Sequence, residues 1–278
     1  MKIKIVADSS ANLLTLDGVD FQSAPLVIRT WEREFVDDAT LDVADMAEYL
    51  QTYKGKSGTA CPGVGDYLEA FEGYDEIYVV TIFSILSGSY NAAVLAKQQY
   101  EEENPGKRVC VLDSRGTGPE MKLHIDRIKE MILAGKDFDT IDKEIDAYRG
   151  TNTSILFCLE SMSNLANNGR VNPAVAKIAN MLGIRVIGDA NETGINPTDK
   201  VRGEKKAIST SVANMKKKGY KGGKVIIDHA LNENAAMALK DAIKAEFPDA
   251  DIRVEETRGL CTFYAEKGGL IVGYEREL

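Results

Sequence analysis

Short apolar runs rich in β-branched residues alternate along this chain with helix-length amphipathic segments, the pattern of parallel sheets covered by helices. A strand buried on both faces reads as a continuous apolar run, because neither set of alternating side chains meets water. Such runs are KIKIVA at the start, then residues 23–30, 76–82, 108–113, 153–159, 184–189, 224–230, 252–256 and 269–275. Helices are expected at 42–53, 64–72, 88–103, 119–134, 138–149, 173–182, 203–218 and 232–246, several with apolar positions at three- and four-residue spacing. In 138–149, Phe138, Ile141, Ile145 and Tyr148 make one face. Asp42, Asp137 and Asn232 stand where a side-chain oxygen can accept from the free N–H groups of a first turn, and Gly219 stands where 203–218 would stop.

The stretch RGTNTS interrupts two periodic segments with small polar residues, so a domain boundary is expected there. At 278 residues the chain has the length for two lobes. The expectation is two α/β domains: 1–151 with a parallel sheet and 152–278 of mixed α/β character, with a ligand between them. Hydrophobic residues at 44% and charged residues at 28% exclude a disordered chain.

A formal net charge of -9 repels polyphosphate chains, so nucleic-acid binding would need a concentrated basic patch. The one candidate, Lys216, Lys217 and Lys218, reads as a solvated helix end that complements the helix dipole. Cys61, Cys110, Cys158 and Cys261 are too widely separated for a zinc knuckle or a redox motif, and Cys110 and Cys158 sit in apolar runs as small hydrophobes. MKIKIVADSS enters a strand directly, with no secretion leader, and no apolar stretch approaches the roughly 20 residues that span a bilayer. A cytoplasmic protein without stable membrane insertion is expected.

Ligands of parallel sheets bind outside the carboxyl ends of the strands. Hydroxyls cluster there at Asp8-Ser9-Ser10, at Ser84 through Ser89 and at Asp113-Ser114, and a further loop, SGTACPG, carries Thr59 beside Pro62. Each alone is explained by turn or cap duty. Ser87-Gly88-Ser89 is the stronger candidate, since it stands between a buried strand and a helix start, where hydroxyls and free N–H groups can meet a carboxylate or phosphate. The chain has no Walker loop and no Gly-x-Gly-x-x-Gly after its first strand, so neither a nucleoside triphosphate nor a nicotinamide is expected, and no cofactor or metal site is read. His124, mid-helix, reads as a surface or satisfied core histidine, and His229 as a loop-bonding residue at a strand end. A hydrolase or transferase using Ser87 and His229 is the alternative function, though no Gly-x-Ser-x-Gly elbow accompanies it.

Several segments in fixed order resemble the DegV family of bacterial proteins: IVADSSANL, SGTACPGVGDY, IFSILSGSYNAA, VCVLDSRGTG, LESMSNLANNGRVNPAVAKIANMLGIRVI, KVRGEKKAI and IIDHALNENAA. The resemblance implies a non-enzymatic carrier that holds a long-chain fatty acid in an apolar interdomain tunnel, and in some members presents it to a fatty-acid kinase catalytic subunit. Matched position by position, it implies that Thr59, Ser87 and Ser89 donate to the carboxylate, with Gly88, Ser9 and Cys61 beside them. Arg170 would bring charge to the head group or position the loop, and Arg202 would face the partner or the phosphate. The chain departs from the family in two places. Thr59-Ala60-Cys61-Pro62-Gly63 replaces Thr-Ser-Gln-Pro-Ser, and LCTFYAEKGGLIVGY replaces Gly-Thr-His-Thr-Gly-Pro-Gly, with Tyr264 at the histidine position. A tyrosine hydroxyl donates to a carboxylate but, unlike imidazole, does not exchange protons near neutrality, so lipid binding survives this change more easily than kinase coupling.

Overall fold

The computed structural model describes residues 1–179 and 181–277. The elements run β1 (Ile3–Asp8), a 3-10 turn (Ser9–Ala11), β2 (Asp20–Ala24), β3 (Val27–Arg29), β4 (Glu34–Val36), α1 (Val43–Thr52), β5 (Gly58–Ala60), α2 (Val64–Phe71), β6 (Glu76–Thr81), α3 (Ser89–Glu103), β7 (Arg108–Asp113), α4 (Pro119–Leu133) and α5 (Phe138–Thr151). They continue as β8 (Thr153–Leu159), α6 (Ser163–Asn167), α7 (Pro173–Ala179), β9 (Ile184–Asn191), β10 (Gly194–Arg202), α8 (Glu204–Lys217), β11 (Val225–His229), α9 (Glu233–Glu246), β12 (Ile252–Glu256), α10 (Gly259–Ala265) and β13 (Leu270–Glu275).

Three sheets result. The first, ordered β2-β1-β6-β7, is wholly parallel. Its alternating side chains enter two cores: Ile5, Tyr78, Val80 and Leu112 pack on α4 and α5, while Val6, Ile77, Val79 and Val109 pack under α2 and α3. This is the two-sided burial that the continuous apolar runs require. The second sheet is mixed, ordered β10-β9-β8-β13-β11-β12, with only β11 and β12 parallel to one another. One face packs on α8 and α9, the other on α6, α7 and α10. The third is a small antiparallel sheet, β4-β3-β5.

The expected strand at 23–30 is two strands in different sheets, because Pro25 offers no N–H to a ladder and the chain turns there. The expected break at RGTNTS is no loop: α5 runs through Gly150 and Thr151, and Asn152 alone separates it from β8. The expected helix 173–182 spans Pro173–Ala179, and Asn180 lies outside the described residues. SGTACPG contributes a strand, β5, rather than only a loop between helices.

Helix α4 lies between the large sheets, buried along most of its length, with Met121, Ile125 and Ile128 in the first core. Its start rests on β13 at Gly273, where an added Cβ would lie 2.5 Å from the Glu120 nitrogen and the Pro119 carbonyl carbon. Glycine is needed there for the close approach.

Candidate functional site

A cavity of about 340 Å³ opens between the first sheet's loops and the inner face of the second sheet. Its walls are mostly apolar: Leu26, Ile82, Ile155, Phe157, Ile195, Leu260 and Ile271. Ile155, Phe157 and Leu159 alternate along β8, so a single face of that strand supplies three wall residues. Phe157 lies across Gly188, whose added Cβ would come within 2.4 Å of the ring.

Polar groups gather in one part of the wall. Thr59 Oγ1 and the Tyr264 hydroxyl are 2.9 Å apart. Cys61 Sγ would stand 3.2 Å from a Cβ at Gly88, next to Ser87, and the Cys61 side is exposed. Arg170 Nε donates to the Leu86 carbonyl at 3.0 Å and Nη1 to the Asn168 carbonyl, so both partners are backbone oxygens. Thr59, Cys61, Ser87, Gly88, Arg170 and Tyr264 all line this one cavity.

Two strand-end aspartates hold the loop that carries Ser87. Asp8 is fully buried and accepts from Ile82 N at 2.8 Å, Ser10 N at 3.2 Å and Ser89 Oγ at 2.5 Å. Burial pushes its carboxyl above the ordinary range, against the pull of those donors. At the other end Asp113 accepts from Ser84 N at 3.0 Å and Ser84 Oγ at 2.5 Å. The hydroxyls and carboxylates at these strand ends fix the loop's shape and leave the wall to its middle.

Two expected head-group residues therefore stand elsewhere. Ser89 is buried, held by Asp8 and by the Tyr67 hydroxyl at 2.7 Å, and does not line the cavity. Ser9 is also buried, its Oγ accepting from Leu26 N at 3.0 Å, and lies outside the wall. Both are consumed by satisfying neighbouring buried groups, which leaves no donor for a ligand. Leu260 and Cys261, which sequence reading did not single out, belong to the wall. Burial pushes the Cys261 thiol up to about 12, and it donates to the Ser10 carbonyl at 3.3 Å.

A family profile described as "Uncharacterised protein, DegV family" matches residues 2–277. This chain belongs to the DegV family. A DegV domain-containing protein of Streptococcus pneumoniae is 39% identical over 280 residues, covering 99% of both chains. Among solved structures, a DegV family protein from Eubacterium eligens loaded with heptadecanoic acid is 43% identical, covers 99% of this chain and 100% of that one, and superposes with a TM-score of 0.97. The Streptococcus pneumoniae Fatty Acid Kinase (Fak) B3 protein loaded with linoleic acid is 39% identical, covers 100% of both chains and also has a TM-score of 0.97.

In this DegV chain Arg202 is exposed at the end of β10, its guanidinium 3.4 Å from the Leu182 carbonyl and away from the cavity wall. It does not meet the head-group end. His229 is buried, its Nδ1 accepting from Asn232 N at 3.3 Å, and it lines a different cleft with Asp42 and Glu256. Ser87 and His229 thus share no cavity, and the alternative of a hydrolase built on that pair has no geometry behind it. His124 is a buried core histidine, its Nε2 at 2.9 Å from Thr153 Oγ1. Among the described residues no helix is long and apolar enough to cross a membrane, and no cluster of three or more metal-ligating side chains occurs.

Proposed function

We propose that this chain is a carrier that binds a long-chain fatty acid in the cavity between two lobes, residues 1–151 and 152–278. The observation that carries the reading is the Thr59–Tyr264 hydroxyl pair, 2.9 Å apart in the wall of a mostly apolar chamber. An acyl tail gains roughly 0.8 kcal/mol for each buried methylene, so affinity resides in the walls and the head-group end has only to orient. Hydroxyls of Thr59, Ser87 and Tyr264 donate to the carboxylate, with Gly88 and Cys61 beside them. Arg170, whose hydrogen-bond partners among the described residues are carbonyl oxygens, supplies positive charge next to Ser87. The ligands of the two similar structures, heptadecanoic and linoleic acid, support this class of ligand.

The kinship with a fatty-acid kinase B3 protein supports a second step, in which the carboxylate is presented to a separate kinase catalytic subunit in the cytoplasm. Exposed Arg202 is the residue we assign to that partner. The purified chain is expected to carry acyl species detectable by native mass spectrometry and organic extraction. A protein free of lipid that also fails to take up labelled oleate overturns the carrier reading. Mixing with a fatty-acid kinase catalytic subunit and ATP should yield acyl phosphate, and lipid-loaded protein that gives none removes the kinase step alone.

A further inference from the structure

The short helix α10 is supplied by one half of the chain and held by the other. Its own cap residue, Arg258, has no side-chain oxygen with which to accept from the first turn. Three consecutive N–H groups instead find side chains from far upstream: Arg258 N donates to Asn12 Oδ1 at 2.9 Å, Gly259 N to Asp37 Oδ1 at 2.9 Å and Leu260 N to Asp37 Oδ2 at 2.8 Å. Asp37 is fully buried, and its backbone N–H is fixed on the Leu26 carbonyl at 2.9 Å. Gly259 has no room for a side chain, since an added Cβ would lie 2.7 Å from the Asp37 carboxyl carbon and 2.6 Å from Leu41.

The other end of this contact is the head-group cluster. Leu260, Cys261, Tyr264 and Ala265 face the cavity, while Phe263 packs on Ile28, Phe35 and Met46. Ile28 in β3 pairs with Thr59 in β5 on one side and with Phe35 in β4 on the other, and Asp37 directly follows β4. The small sheet therefore grips α10 twice, by Asp37 at its first turn and by Thr59 at Tyr264 near its last.

We infer that Asp37 is a positioning residue for the head-group end of the cavity, setting through α10 where the Tyr264 hydroxyl meets Thr59 and a bound carboxylate. The inference rests on the fatty-acid reading above. Burial pushes the Asp37 carboxyl above its ordinary range, while the two N–H groups, Ser9 and the Arg258 guanidinium favour the ionised form that can cap both donors.

The test compares oleic acid with oleyl alcohol, which keeps the tail and lacks the carboxylate, on the whole chain and on Asp37→Asn. Asparagine keeps the volume but only one acceptor oxygen, so one of the two N–H groups loses its partner. The unsubstituted protein should prefer the acid, and Asp37→Asn should lose about tenfold in acid affinity with alcohol affinity kept within about twofold. Asp37→Ala should lose at least as much. Equal loss for both ligands, or no loss for either, overturns the positioning role. An Asp37→Asn chain that binds neither ligand does so too, because the residue would then hold the fold rather than the cluster. An unsubstituted protein without preference for the acid refutes the carboxylate site itself, which separates that failure from this one.

Discussion

Thr59 and Tyr264 lie 205 residues apart in sequence and 2.9 Å apart in space. The pair shares one hydrogen bond in which either hydroxyl can donate, so a carboxylate held there as proposed would take the donor of that bond as well as the proton the pair leaves free. Hydrogen bonds to a charged group contribute about 1.5–3 kcal/mol each, which sets the size of the effect. Thr59→Ala combined with Ser87→Ala removes two such bonds and should raise the dissociation constant for a labelled fatty acid about a hundred- to ten-thousandfold, as read by equilibrium binding. An unchanged constant would mean that the head group sits elsewhere. Ser9 and Ser89 show why sequence reading overreached at this scale. A serine after a strand looks the same whether it faces a ligand or satisfies a buried carboxylate, and Asp8 and Asp37 were invisible as consumers of those hydroxyls until the fold brought them together. The motif resemblance pointed to Thr59, Ser87 and Arg170, which the fold brings to one cavity wall, because their loops stand in fixed order. Asp37 had no such mark: it is an aspartate after a three-residue strand.

At the scale of elements, α4 carries an opposed pair of buried titrating groups. Thr153 Oγ1 donates to Glu120 at 3.0 Å and lies 2.9 Å from His124 Nε2, bridging two side chains one turn apart. Burial pushes Glu120 from 4.5 up to about 7 and, with the nearby Arg149 charge adding to the effect, holds His124 from 6.5 down to about 3. The raised acid costs stability as pH climbs from 4.5 through 7, because the unfolded chain ionises first. The depressed histidine costs stability as pH falls from 6.5 toward 3, because the unfolded chain protonates first. Between 4.5 and 6.5 the two slopes, each up to about 1.4 kcal/mol per pH unit, cancel. Relative to the unsubstituted chain, Glu120→Gln should therefore gain stability as pH rises across that window and His124→Gln should lose it, by urea denaturation at several pH values. Slopes of the same sign for both variants would refute this account.

The elements legible in advance were those with their own period or caps: β1, β6, β7 and β8, and helices opened by Asp42, Asp137 and Asn232, whose side chains do accept from their first turns. The rest depended on partners distant in sequence. β4 and β5 are three residues long and exist because β3 pairs with both. β10 contains Pro197, which reads as a strand breaker, and is accommodated by a register shift between Pro197 and Asp199. α10 is capped by an upstream aspartate, so no local start signal announces it.

The whole molecule is tied together by polar groups as well as by packing. Lys122 on α4 is almost fully buried and bonds to Asp228 on β11 at 2.9 Å and to Glu255 on β12 at 2.5 Å, and Asn12 donates to the second oxygen of Asp228 at 2.7 Å. Removing one partner of a buried ion pair strands the other charge, at a cost of about 3–5 kcal/mol. Lys122→Met should lower the unfolding free energy by about that much in guanidinium titration, and adding Asp228→Asn should recover more than half. No recovery in the double variant would show that lysine packing, and not the stranded carboxylate, matters.

The cavity draws its polar end from the three-stranded sheet and α10, and much of its apolar length from β8, β10 and β13 of the six-stranded sheet. Although these are separate hydrogen-bonded frameworks, Ile155, Phe157 and Ile195 pack in one core with Cys261, Ala265 and Tyr264 of α10, so in the proposed carrier a substitution in the tail wall would be felt at the head-group end. Tail preference and head presentation would therefore be tuned together, through the side chains shared by the sheet wall and that helix.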